Sequence, residues 1–350
     1  MPDRLPIPDA RPIETMSTTP IPHPFIRDLG DTGYVEGVYA LVNPQVATTR
    51  QGKAYLKCLL RDASGEIAAR KWTFEESALG PLAAAGFAHL RGNVQRYQNQ
   101  RQLIVEQIEP VEVTDEQILD LLPTSDCDLG EMDAELREVL SGLEHPGMRA
   151  LMAEFLGNEA LMTRFRRAPA ATSLHHAFIG GLLEHTLQLL KIADAILPLY
   201  PRLNRDIVLA GLFLHDLGKV MELAWERGFS YTAEGNLLGH TVQGLVLLRS
   251  FAGKVKASGE EIPAAALMVL QHIILSHHGR LEFGATKIPS TPEAIFIHHL
   301  DNLDAKTTIA LAEADRDSIG EEGLESGLEF TDRIWSLETR VYRPDPLRQA

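Results

Sequence analysis

From Phe25 to Val113 apolar and polar positions recur with a period of two. Val38, Ala40 and Val42 alternate with Gly37, Tyr39 and Leu41, and Leu56, Cys58 and Leu60 alternate with Tyr55, Lys57 and Arg61. Residues two apart share one face of a strand, so the pattern predicts sheet. A turn at Asp62-Ala63-Ser64-Gly65 leads to a third run, Ile67 to Phe74. A short helical piece, Glu75 to Ala85, comes next. Two further strands, Ala88 to Tyr97 and Leu103 to Ile108, meet across the polar Gln98-Asn99-Gln100 turn. Three strands, a helix and two strands outline a five-stranded OB-fold barrel, and the helix before the fourth strand separates it from other small barrels.

Beyond Thr114 the period lengthens to that of a helix. Thr114-Asp115-Glu116-Gln117 reads as a capping box. Helices are expected at Thr114–Leu122, Met132–Leu143, Gly147–Phe155, Glu159–Arg167, His176–Leu197, Arg205–Leu217, Leu238–Ala257, Pro263–His278 and Pro292–Ala314. Pro123, Pro146, Pro169, Pro201, Pro263 and Pro292 sit at or near their ends, where proline is tolerated. The expected class is α+β and multidomain. It comprises a proline-rich disordered leader (1–24), the barrel (25–113), a helical linker region (114–168), an all-α domain (169–315) and a tail (316–350). The tail would pack back through Phe330, Ile334, Trp335, Leu337, Val341 and Tyr342. Met1 and Met16 are both candidate starts.

Composition changes this picture in one respect. The 350-residue chain carries a formal net charge of -15, which repels nucleic acid as a whole. Residues 25–113, however, hold as many Lys and Arg as Asp and Glu, so the excess falls on the rest. On that neutral barrel Tyr55, Lys57, Arg61, Arg70, Trp72, Arg96 and Tyr97 form a candidate nucleic-acid-binding face, with rings to stack bases and cations for phosphates. The plainer alternative makes Trp72 a core residue and the arginines ordinary surface. With only Cys58 and Cys127, neither a disulfide framework nor a Cys-rich zinc site is expected. The absence of a long apolar run argues against a membrane span. A cytoplasmic protein is expected.

The chemistry concentrates in histidines and aspartates set in apolar helices. His185 shares a stripe with Phe178, Leu182, Leu189, Ile192 and Ile196 and points inward. His215 and Asp216 end the run Ala210-Gly211-Leu212-Phe213-Leu214, where an unpaired carboxylate would be costly. His240 starts a helix, His277-His278 ends one, and Asp301 lies between apolar residues of another. Each alone has an ordinary reading, as a satisfied core histidine or a helix-terminal cation. Together, imidazoles and carboxylates suit divalent metals.

The order of these residues resembles the HD superfamily of metal-dependent phosphohydrolases in its two-metal form. More closely, with a barrel in front, the chain resembles the YhaM-type 3′→5′ exoribonucleases. The resemblance rests on His175-His176-Ala177-Phe178, Gly181-Leu182-Leu183-Glu184-His185, His215-Asp216-Leu217-Gly218-Lys219, Glu234-Gly235-Asn236-Leu237-Leu238-Gly239-His240, Leu275-Ser276-His277-His278-Gly279 and Asp301-Asn302-Leu303-Asp304-Ala305-Lys306. It implies one metal on His185, His215, Asp216 and Asp301, and a second on His240, His277 and His278 with Asp216 bridging. It also implies two divalent ions with Mn2+ as the activating one; the imidazole-rich donors suit Fe2+, Co2+ or Ni2+ as well. Asp216 and Lys219 become the catalytic residues, Lys219 holding a phosphate oxygen. His175, His176 and His298 are candidates to support the ligands from behind, with capping of their helix the alternative for His175 and His176, while His299 has no assigned role. The implied reaction is hydrolysis of terminal phosphodiesters of single-stranded RNA to nucleoside 5′-monophosphates, with single-stranded DNA and a homo-oligomer left open. The alternatives are an HD phosphohydrolase acting on a mononucleotide or cyclic nucleotide with a regulatory barrel, and a non-catalytic RNA-binding protein with a structural metal site.

Overall fold

The computed structural model describes residues 23–97, 100–114, 117–118, 121–172, 176–225, 228–315, 329–343 and 347. Most of the proposed leader, His175, and much of the tail therefore lie outside the described residues.

The first unit is a closed barrel. β1 (Gly33–Thr48), β2 (Ala54–Asp62), β3 (Gly65–Trp72), β4 (Phe87–Tyr97) and β5 (Gln100–Pro110) close in the order β1-β2-β3-β5-β4. Only β3 and β5 run parallel. Helix α1 (Leu79–Ala85) sits between β3 and β4, as the sequence predicts for an OB-type barrel. Leu56, Cys58, Leu60, Ile67, Ala69, Leu90, Val94, Leu103 and Val105 fill the interior. β1 is long enough to pair with both β2 and β4 because its register shifts between Val42 and Gln45; an extra residue there bends the strand.

β1 departs from simple alternation because both of its faces are covered. Val35, Tyr39 and Leu41 point into the barrel, whereas Val38 and Ala40, with Phe87, join the core of the helical part. The barrel is thus seated on the helices through apolar side chains. Asp62 ties the segment before β1 to the β2–β3 turn. This buried carboxylate accepts from the backbone N–H of Ile26 (2.7 Å), Ser64 (2.7 Å) and Gly65 (3.1 Å) and from the Ser64 hydroxyl (2.6 Å).

Residues Thr114 and Gln117 make the expected reciprocal cap, Thr114 N to Gln117 Oε1 at 2.8 Å and Gln117 N to Thr114 Oγ1 at 3.3 Å. Then follow α2 (Leu129–Ser141), α3 (Pro146–Leu156), α4 (Glu159–Arg167), α5 (Gly181–Ile196), α6 (Arg205–Leu214), α7 (Lys219–Glu222), α8 (Ala233–Ala257), α9 (Ala264–Ser276) and α10 (Pro292–Asp315). Side chains of Asp128, Asn158, Asn204 and Thr232 cap α2, α4, α6 and α8, satisfying N–H groups that a helix start leaves open. Phe155, Phe165, Phe213 and Phe251 meet at the centre.

Three expected helices are shorter or broken. The one expected from His176 begins at Gly181, because His176 (φ 49) and Gly180 (φ 85) are left-handed. The one expected through Leu217 ends at Leu214 and resumes as α7. α8 starts five residues before Leu238 but is interrupted at Gly239 (φ 71, ψ 159). The helical part also contains a two-stranded ribbon, β6 (Leu223–Ala224) with β7 (Ser230–Tyr231), so it is not purely α. In the tail, Trp335–Leu337 lies against α10, but Trp335 itself is exposed.

Candidate metal centre

Each irregularity delivers a side chain to one point. The turn after α6 turns His215 and Asp216 inward. The break at Gly239 redirects His240. α9 ends at Ser276, so His277 and His278 project from its last turn, and α5 and α10 supply His185 and Asp301 from the flanks. α7 and α8 cross so closely that a Cβ at Gly218 would collide with the His240 carbonyl; only glycine allows this approach.

Asp216 stands at the middle. Its Oδ1 is 3.4 Å from His240 Nε2 and 3.4 Å from His277 Nε2. Its Oδ2 is 3.4 Å from His215 Nε2 and 3.9 Å from His185 Nε2. His185 Nε2 is 3.3 Å from Asp301 Oδ1, and His240 Nε2 faces His278 Nε2 at 3.2 Å. His185, His215, Asp216, His240 and His277 are buried, with His278 and Asp301 half-buried. Lys219 Nζ donates to Asp216 Oδ2 at 2.7 Å.

The outer nitrogens fix what the inner ones can do. Nδ1 of His215 meets the Leu212 carbonyl at 2.7 Å and Nδ1 of His277 the Ile274 carbonyl at 2.9 Å. Nδ1 of His185 meets Asp304 Oδ2 at 2.7 Å, and Nδ1 of His240 meets Glu222 Oε2 at 2.8 Å. With the proton held at Nδ1, each Nε2 presents a lone pair to the centre. Three of these inward atoms, His215 Nε2, His277 Nε2 and Asp216 Oδ1, are buried without a hydrogen-bond partner. Buried acceptors are rarely left unpaired. Two atoms bound to one ion at about 2.1 Å and separated by 90–109° lie about 3.0–3.4 Å apart; the separations around Asp216 Oδ1 match this. The cluster therefore fits divalent metal.

Glu222 and Asp304 do not appear among the sequence candidates. Asp304 takes His185 Nδ1, Gln188 Nε2 at 2.6 Å and His176 Nε2 at 3.3 Å. The 2.7 Å contact between His185 Nδ1 and Asp304 Oδ2 is a direct hydrogen bond, shorter than the separation of two ligands on one ion, and His185 turns its other nitrogen to the centre, so this trio lies behind the centre as a support. Asp304 follows Asp301 by three positions, a spacing that shares a helix face and was the available signal. Glu222 also accepts the His240 N–H at 3.1 Å; its role depends on a partner 18 residues away, and no local pattern announces it. His298 bonds the His277 carbonyl at 2.7 Å, consistent with support from behind, while His299 is exposed.

Electrostatics divide the cluster. With no cation between the carboxylates, burial would lower the pKa of His185, but hydrogen bonds to Asp301 and Asp304 overcome it and push it up to about 9; a bound divalent ion would take the place of the second ring proton at Nε2 and free that lone pair. Burial, then His277 and His240, push His278 down to about 3. Burial opposes ionisation of Asp216, yet Lys219 and His215 hold its carboxyl well below the usual carboxylate range. Burial likewise opposes the Lys219 charge, and Asp216 more than restores it.

On the barrel the candidates divide as well. The Tyr55 and Trp72 rings lie 4.9 Å apart. The Arg70 guanidinium is 6.0 Å from the Trp72 ring and 5.8 Å from that of Tyr97. Lys57 pairs across from Arg70. Trp72 is 46% exposed, which removes its reading as core. Arg61 does not join this group: Glu66 binds it, and it lies 5.9 Å from the Phe229 ring of the helical part. Arg96 pairs with Asp31 at 3.3 Å.

Comparison with known proteins agrees with this geometry. A family model described as "HD domain" matches residues 182–306, a span that holds all seven converging residues. The chain is 36% identical over 295 residues to the 3′-5′ exoribonuclease YhaM of Bacillus subtilis (strain 168), covering 84% of this chain and 89% of the relative. It is 34% identical over 317 residues to the protein of that name from Geobacillus sp. (strain WCH70), covering 90% and 93%. The Bacillus velezensis protein of the same name is 35% identical over 295 residues, covering 84% and 89%.

Proposed function

Because the chain belongs to the YhaM family of 3′-5′ exoribonucleases, we propose that it shortens single-stranded RNA from the 3′ end by metal-assisted hydrolysis and releases nucleoside 5′-monophosphates. The observation that carries this is the set of inward, unpartnered acceptors around Asp216. His185, His215, Asp216 and Asp301 would hold one divalent ion. His240, His277, His278 and Asp216 would hold another. Mn2+ is the expected ion, and Fe2+, Co2+ and Ni2+ suit the same imidazole-rich donors. Such ions supply Lewis acidity at a phosphoryl oxygen.

The protein's own groups prepare that chemistry. His278, held neutral by burial, keeps its lone pair available across the physiological range. Lys219 has three N–H donors. One engages Asp216, and another is free to hold a non-bridging phosphate oxygen as charge develops there. Glu222 and Asp304 keep the imidazoles in one tautomer and orientation. The barrel (25–113) grips the upstream strand through Tyr55, Lys57, Arg70, Trp72 and Tyr97. Residues 114–168 connect it to the hydrolytic domain (169–315). RNA is the proposed substrate and single-stranded DNA the comparison, separated by the 2′-hydroxyl.

The test is digestion of one oligomer labelled at either end, with metal-stripped protein resupplied with each ion in turn. The 5′ label should pass through a descending ladder while the 3′ label appears at once as mononucleotide. Turnover confined to mononucleotides or cyclic nucleotides would replace this reading with that of a nucleotide phosphohydrolase.

A further inference from the structure

The chain leaving His278 doubles back immediately. Arg280 N bonds the His278 carbonyl at 2.9 Å, Phe283 N and Ala285 N bond the Arg280 carbonyl at 3.1 and 3.2 Å, and Thr286 N returns to the Leu275 carbonyl at 2.9 Å. Ala285 is buried, and Gly284 lies so near His278 that an added Cβ would stand 3.5 Å from its Nδ1. The loop is therefore hydrogen-bonded to the end of α9, and at Gly284 it passes beside a side chain of the metal centre. Yet this fixed loop leaves Leu281 58% and Phe283 59% exposed, and the Arg280 guanidinium sits 5.7 Å from the Phe283 ring. Nothing in the reactions of Asp216 or Lys219 uses these groups.

An exposed ring on a hydrogen-bonded loop, with a cation beside it, suits a flexible single strand. Every base presents a π-face, so stacking binds it without choosing sequence, and a guanidinium reaches the adjoining phosphate. Lys287 adds a second exposed cation on the loop, against the single acid Glu282. In a chain of net charge -15, an aromatic side chain paired with a cation at the edge of the metal centre suits a nucleotide, which brings a base to stack and a phosphate to pair, better than a partner with only one of the two.

We propose that Phe283 and Arg280 form the nucleobase subsite beside the scissile phosphate, Phe283 stacking the base of the terminal nucleotide and Arg280 engaging its phosphate. This rests on the exoribonuclease reading above. It gives the enzyme a second aromatic hold on the strand, separate from Trp72 on the barrel.

The experiment compares the wild-type protein with Phe283→Ala and Phe283→Trp, metal-loaded, on three substrates: an oligoribonucleotide, the same oligomer with an abasic 3′-terminal nucleotide followed through its first cleavage, and a small phosphodiester without an aromatic group. Loss of one stacked base predicts a fall in kcat/KM of roughly 5- to 100-fold for Phe283→Ala on the intact oligomer, recovered by Phe283→Trp. On the abasic oligomer and the non-aromatic ester, wild type and Phe283→Ala should be equal. Equal losses on all three substrates would mean that Phe283 acts through the fold, and no loss on any would mean that nothing stacks there; either overturns the subsite. So would a fall in mass by light scattering with unchanged kinetics, which would make the loop a contact between copies. A wild-type protein that cleaves the ester but no oligomer overturns the exoribonuclease reading and the subsite with it, whereas an active wild type indifferent to Phe283→Ala overturns the subsite alone.

Discussion

On the barrel, Trp72 and Tyr97 are about half exposed, with Arg70 lying against both rings. In the helical domain, His185, His215 and His277 are buried, and all face one carboxylate, Asp216. The barrel's groups touch in pairs across solvent-facing strands, so removing one leaves the others solvated. The groups of the centre share partners in a water-poor interior, so removing one strands the rest. The first arrangement suits graded affinity and the second all-or-none chemistry.

The sharpest way to break this contrast is Asp216→Asn, which keeps the volume and removes the charge shared by both halves. Turnover should fall by about 10³-fold or more, since Lewis-acid stabilisation of several kcal/mol is lost. Single-turnover digestion checks it, with circular dichroism confirming the fold. Retained activity would assign the metals to bracing alone.

Next come Glu222→Gln and Asp304→Asn. Each removes a carboxylate that holds one imidazole, His240 or His185, and such changes weaken metal affinity about 10- to 100-fold. Metal titration followed by mass spectrometry should show a crossed pattern. Glu222→Gln should lose one equivalent of ion and Asp304→Asn the other, each retaining its partner. Loss of both equivalents together in either variant would erase the division into halves.

Trp72→Ala should raise KM for oligomers about tenfold, within the range for one stacked base, while leaving kcat and metal content unchanged. A fall in kcat would show that the barrel acts on the chemistry and not only on affinity.

The smallest effect on activity belongs to Asp62. Burial would raise its pKa, but hydrogen bonds from His23, Ser64 and Ile26 hold it below the ordinary value. Its contribution to stability is therefore complete above about pH 4, the unfolded value, and fades as the pH falls from there through the folded value. Asp62→Asn should leave turnover near neutral pH unchanged while flattening the acid limb of the unfolding midpoint. An acid limb identical to wild type would assign that sensitivity elsewhere.

The converging residues were legible because each lies in an apolar setting that a polar side chain must justify, and because their order along the chain is distinctive. Their supports were not. Glu222 and Asp304 act across 18 and 119 residues, distances over which no local period operates. The left-handed His176 and the break at Gly239 override helical patterning because tertiary packing, not propensity, places those turns. On the barrel, period two was enough for the strands. It was not enough for β1, where covered faces on both sides erase the difference between in and out, nor for Trp72, whose ring has no interior position to fill.

Val38, Ala40 and Phe87 carry one last consequence. Because the barrel is seated on the helices by buried carbon and not hung from a tether, a strand held at Trp72, as proposed, would reach Asp216 over an interval set by that seam. On that proposal a strand too short to bridge the interval would lose its upstream hold while its end is still uncut, so digestion should stall on a remnant whose size is set by the seam between the two units and not by time or enzyme concentration.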